Sequence, residues 1–237
     1  MNKLFTLVFA AGMALTATAQ YGYTEPVKNA EDSEYKLRKV VHLDATPVQS
    51  QGYTGTCWSF SALSFFESEL MRMGDKDPAL LSEMYVVRKA YEGKAEKFIR
   101  MDGKTNFSQG GAFHDIPYVI DRHGIVPLEI YEGLNYGSDK HNHSELFALL
   151  NGAMEGLLSH MENSRSGSIT PAWKAAINGI LDAYLGEDIT EFEFEGKKYT
   201  PESYAKAIGL DMDNYVSLTS FTNHEMNEEC MLAIQDN

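Results

Sequence analysis

The stretch "QGYTGTCWSFSA", residues 51–62, gathers a glutamine, two glycines, a cysteine and a tryptophan at the entrance to an amphipathic run. A cysteine in the first turn of a helix sits where unpaired backbone N–H groups and the positive end of the helix dipole favour a thiolate. Gln51 precedes Cys57 by six positions, across a Gly52…Gly55 turn that lets the chain curl back and bring the glutamine amide beside the thiol. A side-chain amide and the cysteine's own backbone N–H make a donor pair of the kind that stabilises the oxyanion of an acyl transfer. Cys57 is therefore a candidate nucleophile and Gln51 a candidate oxyanion donor. The ordinary alternative for Cys57 is a packed, small apolar side chain.

Helices must position these residues. "CWSFSALSFFESELMRMG" places Phe60, Leu63, Phe66 and Leu70 at helical spacing and closes at Gly74. "LSEMYVVRKAYEGKAEKFI" reads as a second helix with Ser82 as N-cap. "NFSQGGAF" is a loop, and a helical stretch around "HDIPYVIDRHG" leads to an extended "GIVPLEIY". Further on, "SELFALLNGAMEGLLSHM" is an amphipathic helix. In "TPAWKAAINGILDAYLG", Thr170 is the expected cap, Pro171 the first helical residue, and Trp173, Ile177, Ile180 and Tyr184 one face. "ITEFEFEGKKYT" alternates around Glu195-Gly196 as a hairpin whose carboxylates, Glu191 to Glu195, form its wet face, and Thr200-Pro201 opens a short helix. "YVSLTSF" and "CMLAI" read as strands.

The chain of 237 residues carries a formal net charge of −14, which leaves no basic stripe to neutralise phosphates and excludes nucleic acid as a partner. Residues 1–19 read as a cleavable export leader: Lys3, an apolar run from Leu4 to Leu15, and Ala17-Thr18-Ala19, with the mature chain predicted to begin near Gln20. That run is too short to span a bilayer, so the expected setting is periplasmic or extracellular. Residues 20–50 read as an N-terminal arm. Two cysteines, Cys57 and Cys230, do not make a disulfide scaffold, although a bridge between them would abolish a nucleophile.

Among the seven histidines, His114 and His123 flank a helix, His224 lies in a turn, and His141-Asn142-His143 reads as a solvated loop without a third metal ligand. None is assigned as catalytic.

The segment "PVQSQGYTGTCWSFSALSFFESEL" resembles the active-site segment of papain-like cysteine peptidases, whose pattern is Gln-Gly-x-x-Gly-x-Cys-Trp-x-Phe-x-Ala. Gln51, Gly52, Gly55, Cys57, Trp58, Phe60 and Ala62 all match it. Gly110-Gly111 matches the family's later Gly-Gly pair, whose backbone lies against the substrate peptide. The resemblance implies Cys57 as nucleophile, Gln51 as oxyanion-hole residue, and Gly110, Gly111 and Trp58 as the substrate wall. Thr54 stands where secreted papain relatives keep a disulfide cysteine.

The helical section and the residues from Tyr215 on are similar to the bleomycin hydrolase/aminopeptidase C branch. That likeness implies an aminopeptidase acting on peptides, a hexamer, and no metal or organic cofactor. The family's general-base histidine and orienting asparagine lie downstream of the segment that resembles 223–237, so the sequence holds half an active site and reads as truncated.

The expected architecture is a papain-like α+β fold. Residues 51–237 form an incomplete peptidase domain with its helical half present, a helical and hairpin insertion at about 144–212, and the β-barrel half largely missing. The alternatives to a peptidase are an inactive relative or gene fragment that binds peptides along Gly110-Gly111, and a thiol acyltransferase or amidase using the same cysteine device.

Overall fold

A computed structural model describes residues 30–38, 40, 41 and 43–216. The chain divides into two units at Arg38 and Lys39. Of the first unit, residues 30–38 form a turn followed by extended chain, in which Ser33 Oγ takes the Tyr35 N–H at 3.1 Å. The leader expected at 1–19 lies outside the described residues, as does most of the arm before residue 40.

In the second unit the first helix, α1, spans Cys57–Met73. Gly74 ends it in the left-handed region (φ 116°), where the N–H groups of Gly74 and Asp75 return to the carbonyls of Met71 and Leu70. Helix α2, Glu83–Arg100, starts at Ser82, whose side chain takes the Tyr85 N–H at 3.0 Å. The extended segment after α3 (Asp115–His123) pairs back here: Val126 accepts from the Ser82 N–H at 2.9 Å, and Leu81 bridges Pro127. The chain then turns at 128–130 instead of continuing as a strand.

Helices α4 (Ser144–Asn163) and α5 (Ala172–Leu185) follow. The cap expected from Thr170 is absent. Pro171 itself stands at the cap position with helical dihedrals, and its carbonyl takes the Lys174 N–H, so the helix starts one residue later without a side-chain cap. The buried stripe of α5 is Ile177, Leu181 and Leu185, while Trp173, Ile180 and Tyr184 pack at its margin. The hairpin forms as the alternation requires, with β1 (Phe192–Phe194) antiparallel to β2 (Lys197–Tyr199) and positive φ at Glu195 and Gly196. Glu191, Glu193 and Glu195 are exposed. Helix α6, Pro201–Ala207, carries a capping box between Thr200 and Ser203, and a short 3₁₀ turn follows at Met212–Asn214.

Helix α2 is the hub, packing against α1, α3, α4 and α5. Leu63 and Phe66 of α1, Tyr85 and Tyr91 of α2, Ile116 of α3, Leu150 of α4 and Leu181 of α5 belong to one continuous core. The section expected as an insertion therefore shares the core of the cysteine helix, because α4 and α5 bury their apolar stripes against α2. An ionic clamp reinforces this: Arg88, only 1 % exposed, holds Asp182 at 2.6 Å and the Gly186 carbonyl at 2.8 Å, and Lys89 holds Asp188 at 2.5 Å.

The hairpin is the only sheet among the described residues, and no barrel half is evident there. The strands expected at 215–221 and 230–234 lie outside the described residues, apart from Tyr215 and Val216, which are not in a strand. No helix among the described residues is long and apolar enough to cross a membrane.

Candidate active site

Cys57 opens α1, is exposed, and has no disulfide partner among the described residues. Thr56 occupies the cap position without a side-chain cap bond, and no acceptor among the described residues takes the Cys57 backbone N–H. That N–H is one of the donors a helix start leaves open. The turn before it is closed by a reciprocal pair: Thr54 Oγ1 donates to the Gln51 carbonyl at 2.9 Å, and Gln51 Nε2 donates to the Thr54 carbonyl. The Gln51 carboxamide is thereby held within its own turn, and the second hydrogen on Nε2 is left over.

The turn rests on the strap that leads into α4. Tyr53 donates to the His141 carbonyl at 2.7 Å and bridges Asn142 in parallel. Gly52 has φ 61°, and a Cβ there would stand 2.4 Å from the His141 carbonyl oxygen, so glycine is required. The strap differs from the solvated loop that its polar residues suggest. His143 is fully buried, with Nδ1 3.3 Å from the Tyr91 hydroxyl, and its pKa is pushed down to about 4 by burial and by neighbouring His141. Burial also lowers the pKa of His141. The backbone's need to pair with Tyr53 carries His143 into the core beside Tyr91 and Phe147.

Trp58 points inward, 6 % exposed, and its Nε1 donates to the Gln109 carbonyl at 3.0 Å. Its ring lies behind Gly111, where a Cβ would stand 2.6 Å from the indole and 2.9 Å from Asp115 Oδ2. A Cβ at Gly110 would meet nothing nearer than Ser108 Oγ at 3.8 Å, and the Gly110 carbonyl accepts from Lys94 Nζ. The structure thus brings Gln51, Cys57, Trp58, Gly110 and Gly111 into one neighbourhood, with Trp58 as the support behind the glycine pair. No hydrogen-bond partner of the Cys57 thiol, histidine included, is found among the described residues, and no three His, Cys, Asp or Glu side chains there converge as metal ligands.

Three site-related residues have no signal in the sequence pattern. Gln109 accepts the Gly55 N–H through Oε1 at 2.8 Å, which makes it a bridge between the two glycine motifs. Glu67, on α1, and Glu83, the first residue of α2, are buried. Glu67 takes the Leu81 N–H at 2.8 Å and the Thr46 hydroxyl. Glu83 is pushed up to about 7 by burial, against the pull of its own backbone N–H and with a further upward push from Glu67. Glu83 also lines a cavity of about 720 Å³ together with Gly52, Phe60, Glu132 and His141, and neither Cys57 nor Gly110 lines that cavity.

Residues 32–145, which contain the whole Gln51–Cys57 turn and Gly110-Gly111, match the papain family of cysteine proteases. Those residues are a papain-family domain. The chain is 25 % identical to an aminopeptidase C of Lactobacillus delbrueckii subsp. lactis, in an alignment covering 75 % of this chain and 47 % of the relative. It is 22 % identical to an aminopeptidase W of the same organism, over 83 % and 52 % respectively. In fold it is similar to the crystal structure of PepW from Lactobacillus rhamnosis HN001, with a TM-score of 0.59 and 20 % identity over 74 % of this chain and 46 % of that one. The chain spans about half the length of the curated relatives it matches. The papain-family fold explains why the cysteine helix, the preceding glutamine turn and the glycine pair meet across so much intervening sequence.

Proposed function

We propose that this chain carries the nucleophile half of a cysteine peptidase active site and that the whole protein acts as an aminopeptidase on peptides. The observation that carries the reading is the exposed Cys57 at the start of α1, with its own N–H open and the Gln51 carboxamide fixed in the preceding turn. In the reaction the Cys57 sulfur bonds to the scissile carbonyl carbon, and the carbonyl electron pair moves onto oxygen. The Cys57 N–H and the Gln51 amide stabilise that oxyanion. When the pair returns, the C–N bond breaks and the amine leaves with a proton; water then cleaves the thioester. The proton carrier is the histidine that the family resemblance calls for. The aminopeptidase direction rests on the relatives' names, the hexamer on the branch resemblance, and export on the leader-like residues 1–19.

The test is hydrolysis of an aminoacyl amide by the full native protein. Cys57→Ala abolishes turnover on this reading, and retained turnover overturns it.

A second reading is a peptide-binding relative without turnover. It predicts peptide binding without cleavage. A thiol acyltransferase would instead favour an added amine over water.

A further inference from the structure

We infer that Gln109 is the positioning residue of the oxyanion glutamine and acts on it through a single peptide plane. This rests on the roles of Cys57 and Gln51 given above. The Thr54–Gly55 peptide is held from both edges: its carbonyl oxygen accepts from Gln51 Nε2, and its N–H donates to Gln109 Oε1 at 2.8 Å. A peptide unit is planar and rigid, so fixing the direction of its N–H fixes the direction of the C=O on the opposite edge. The hold exerted by Gln109 therefore sets where the Gln51 carboxamide is anchored. One Nε2 hydrogen of Gln51 is engaged by Thr54, and the other is the one available to an oxyanion at Cys57.

Gln109 is itself well fixed. Its carbonyl accepts from Trp58 Nε1 at 3.0 Å, and its Nε2 donates to the His143 carbonyl at 3.5 Å. Its Cβ would be 2.9 Å from a Cβ at Gly55, so the two backbones approach closely. The next two residues are Gly110 and Gly111. One side chain thus ties the oxyanion donor and the first turn of α1 to the substrate wall in a single register. Without the acceptor, the Gly55 N–H turns to water and the peptide is free to rotate, carrying its carbonyl away from Gln51.

A peptide aldehyde tests this without requiring a leaving group. The Cys57 sulfur bonds to the aldehyde carbon, the carbonyl pair moves onto oxygen, and the thiol proton passes to the buffer, which leaves the hemithioacetal oxygen charged at the oxyanion position. Kd is measured on the full chain for wild type, Gln51→Ala, Gln109→Met, the double variant and Gln109→Glu. Loss of one oxyanion donor weakens binding about 100-fold in Gln51→Ala. Gln109→Met, which keeps the length and removes the acceptor, weakens it about tenfold, and the double variant is no weaker than Gln51→Ala alone, because the two act in series. Gln109→Glu keeps the acceptor and most of the affinity. Alkylation of Cys57 by iodoacetamide, which forms no oxyanion, stays within about twofold in every variant. If Gln109→Met does not fold, Gln109→Asn, one methylene too short to reach Gly55, gives the same reading.

Wild-type affinity in Gln109→Met, or losses that multiply in the double variant, overturns the inference and leaves the active-site reading standing. A wild-type chain that is alkylated at Cys57 yet binds no aldehyde overturns the active-site reading itself, and the inference with it.

Discussion

Gly111 lies against the indole of Trp58 so closely that no Cβ fits between them, and the same indole donates to Gln109, two residues before it. The helix that carries Cys57 and the loop that carries the glycine pair are thereby locked into one register by the side chain next to Cys57.

That contact separates two glycines that look alike in sequence. Gly111→Ala is expected to cost about 1–3 kcal/mol, the usual range for overpacking a filled site, and to lower kcat/KM of the whole protein by displacing the loop. Gly110→Ala, with nothing nearer than Ser108 Oγ at 3.8 Å, is expected to change stability by no more than about 0.5 kcal/mol. Urea unfolding of the two variants checks the contrast.

His143 makes the fold sensitive to acid. Its folded pKa is about 4, below the ordinary imidazole value of 6.5, so between those values the unfolded chain binds more protons and stability rises with pH. The contribution is complete above about pH 6.5 and is lost as pH falls towards 4, on the order of 3 kcal/mol. Urea midpoints measured from pH 4 to 7 should have a shallower slope in His143→Phe than in wild type; equal slopes would show that burial of this imidazole does not govern acid stability.

Glu83 works in the opposite direction. Its pKa is raised to about 7 from 4.5, so the folded chain holds the extra proton. Its contribution is present below pH 4.5 and lost as pH rises through 7. Glu83→Gln, which keeps the shape and removes the ionisation, is expected to raise stability at pH 8 relative to wild type and to leave it nearly unchanged at pH 4.5. Chemical unfolding at those two pH values decides it.

Arg88 holds α5 to α2. Arg88→Ala leaves Asp182 without its partner, leaves the Gly186 carbonyl only the Tyr131 hydroxyl at 3.3 Å, and removes a buried side chain, with an expected loss of about 3–5 kcal/mol. Amide exchange should accelerate first in α5 and the 186–189 loop. Protection there equal to wild type would mean that the apolar stripe alone secures the helix.

The residue pattern by itself determined the local elements and singled out the turn before Cys57 as a candidate site. Gly74 and Ser82 mark helix ends because left-handed backbone and side-chain capping are properties of single residues and their immediate neighbours. The hairpin at Glu195-Gly196 follows from alternation around a turn that needs positive φ. Gln51, Gly52, Gly55 and Cys57 are legible as one device because all lie within a single turn.

Only the tertiary structure decided the rest. Gln109 meets Gly55 across 54 positions and Trp58 across 51, separations at which sequence periodicity carries no information. His141-Asn142-His143 looks solvated by composition, yet backbone pairing with Tyr53 draws His143 into the core. Helices α4 and α5 join the core of the cysteine helix because their apolar stripes are complementary to α2, and complementarity between two surfaces belongs to neither sequence segment alone.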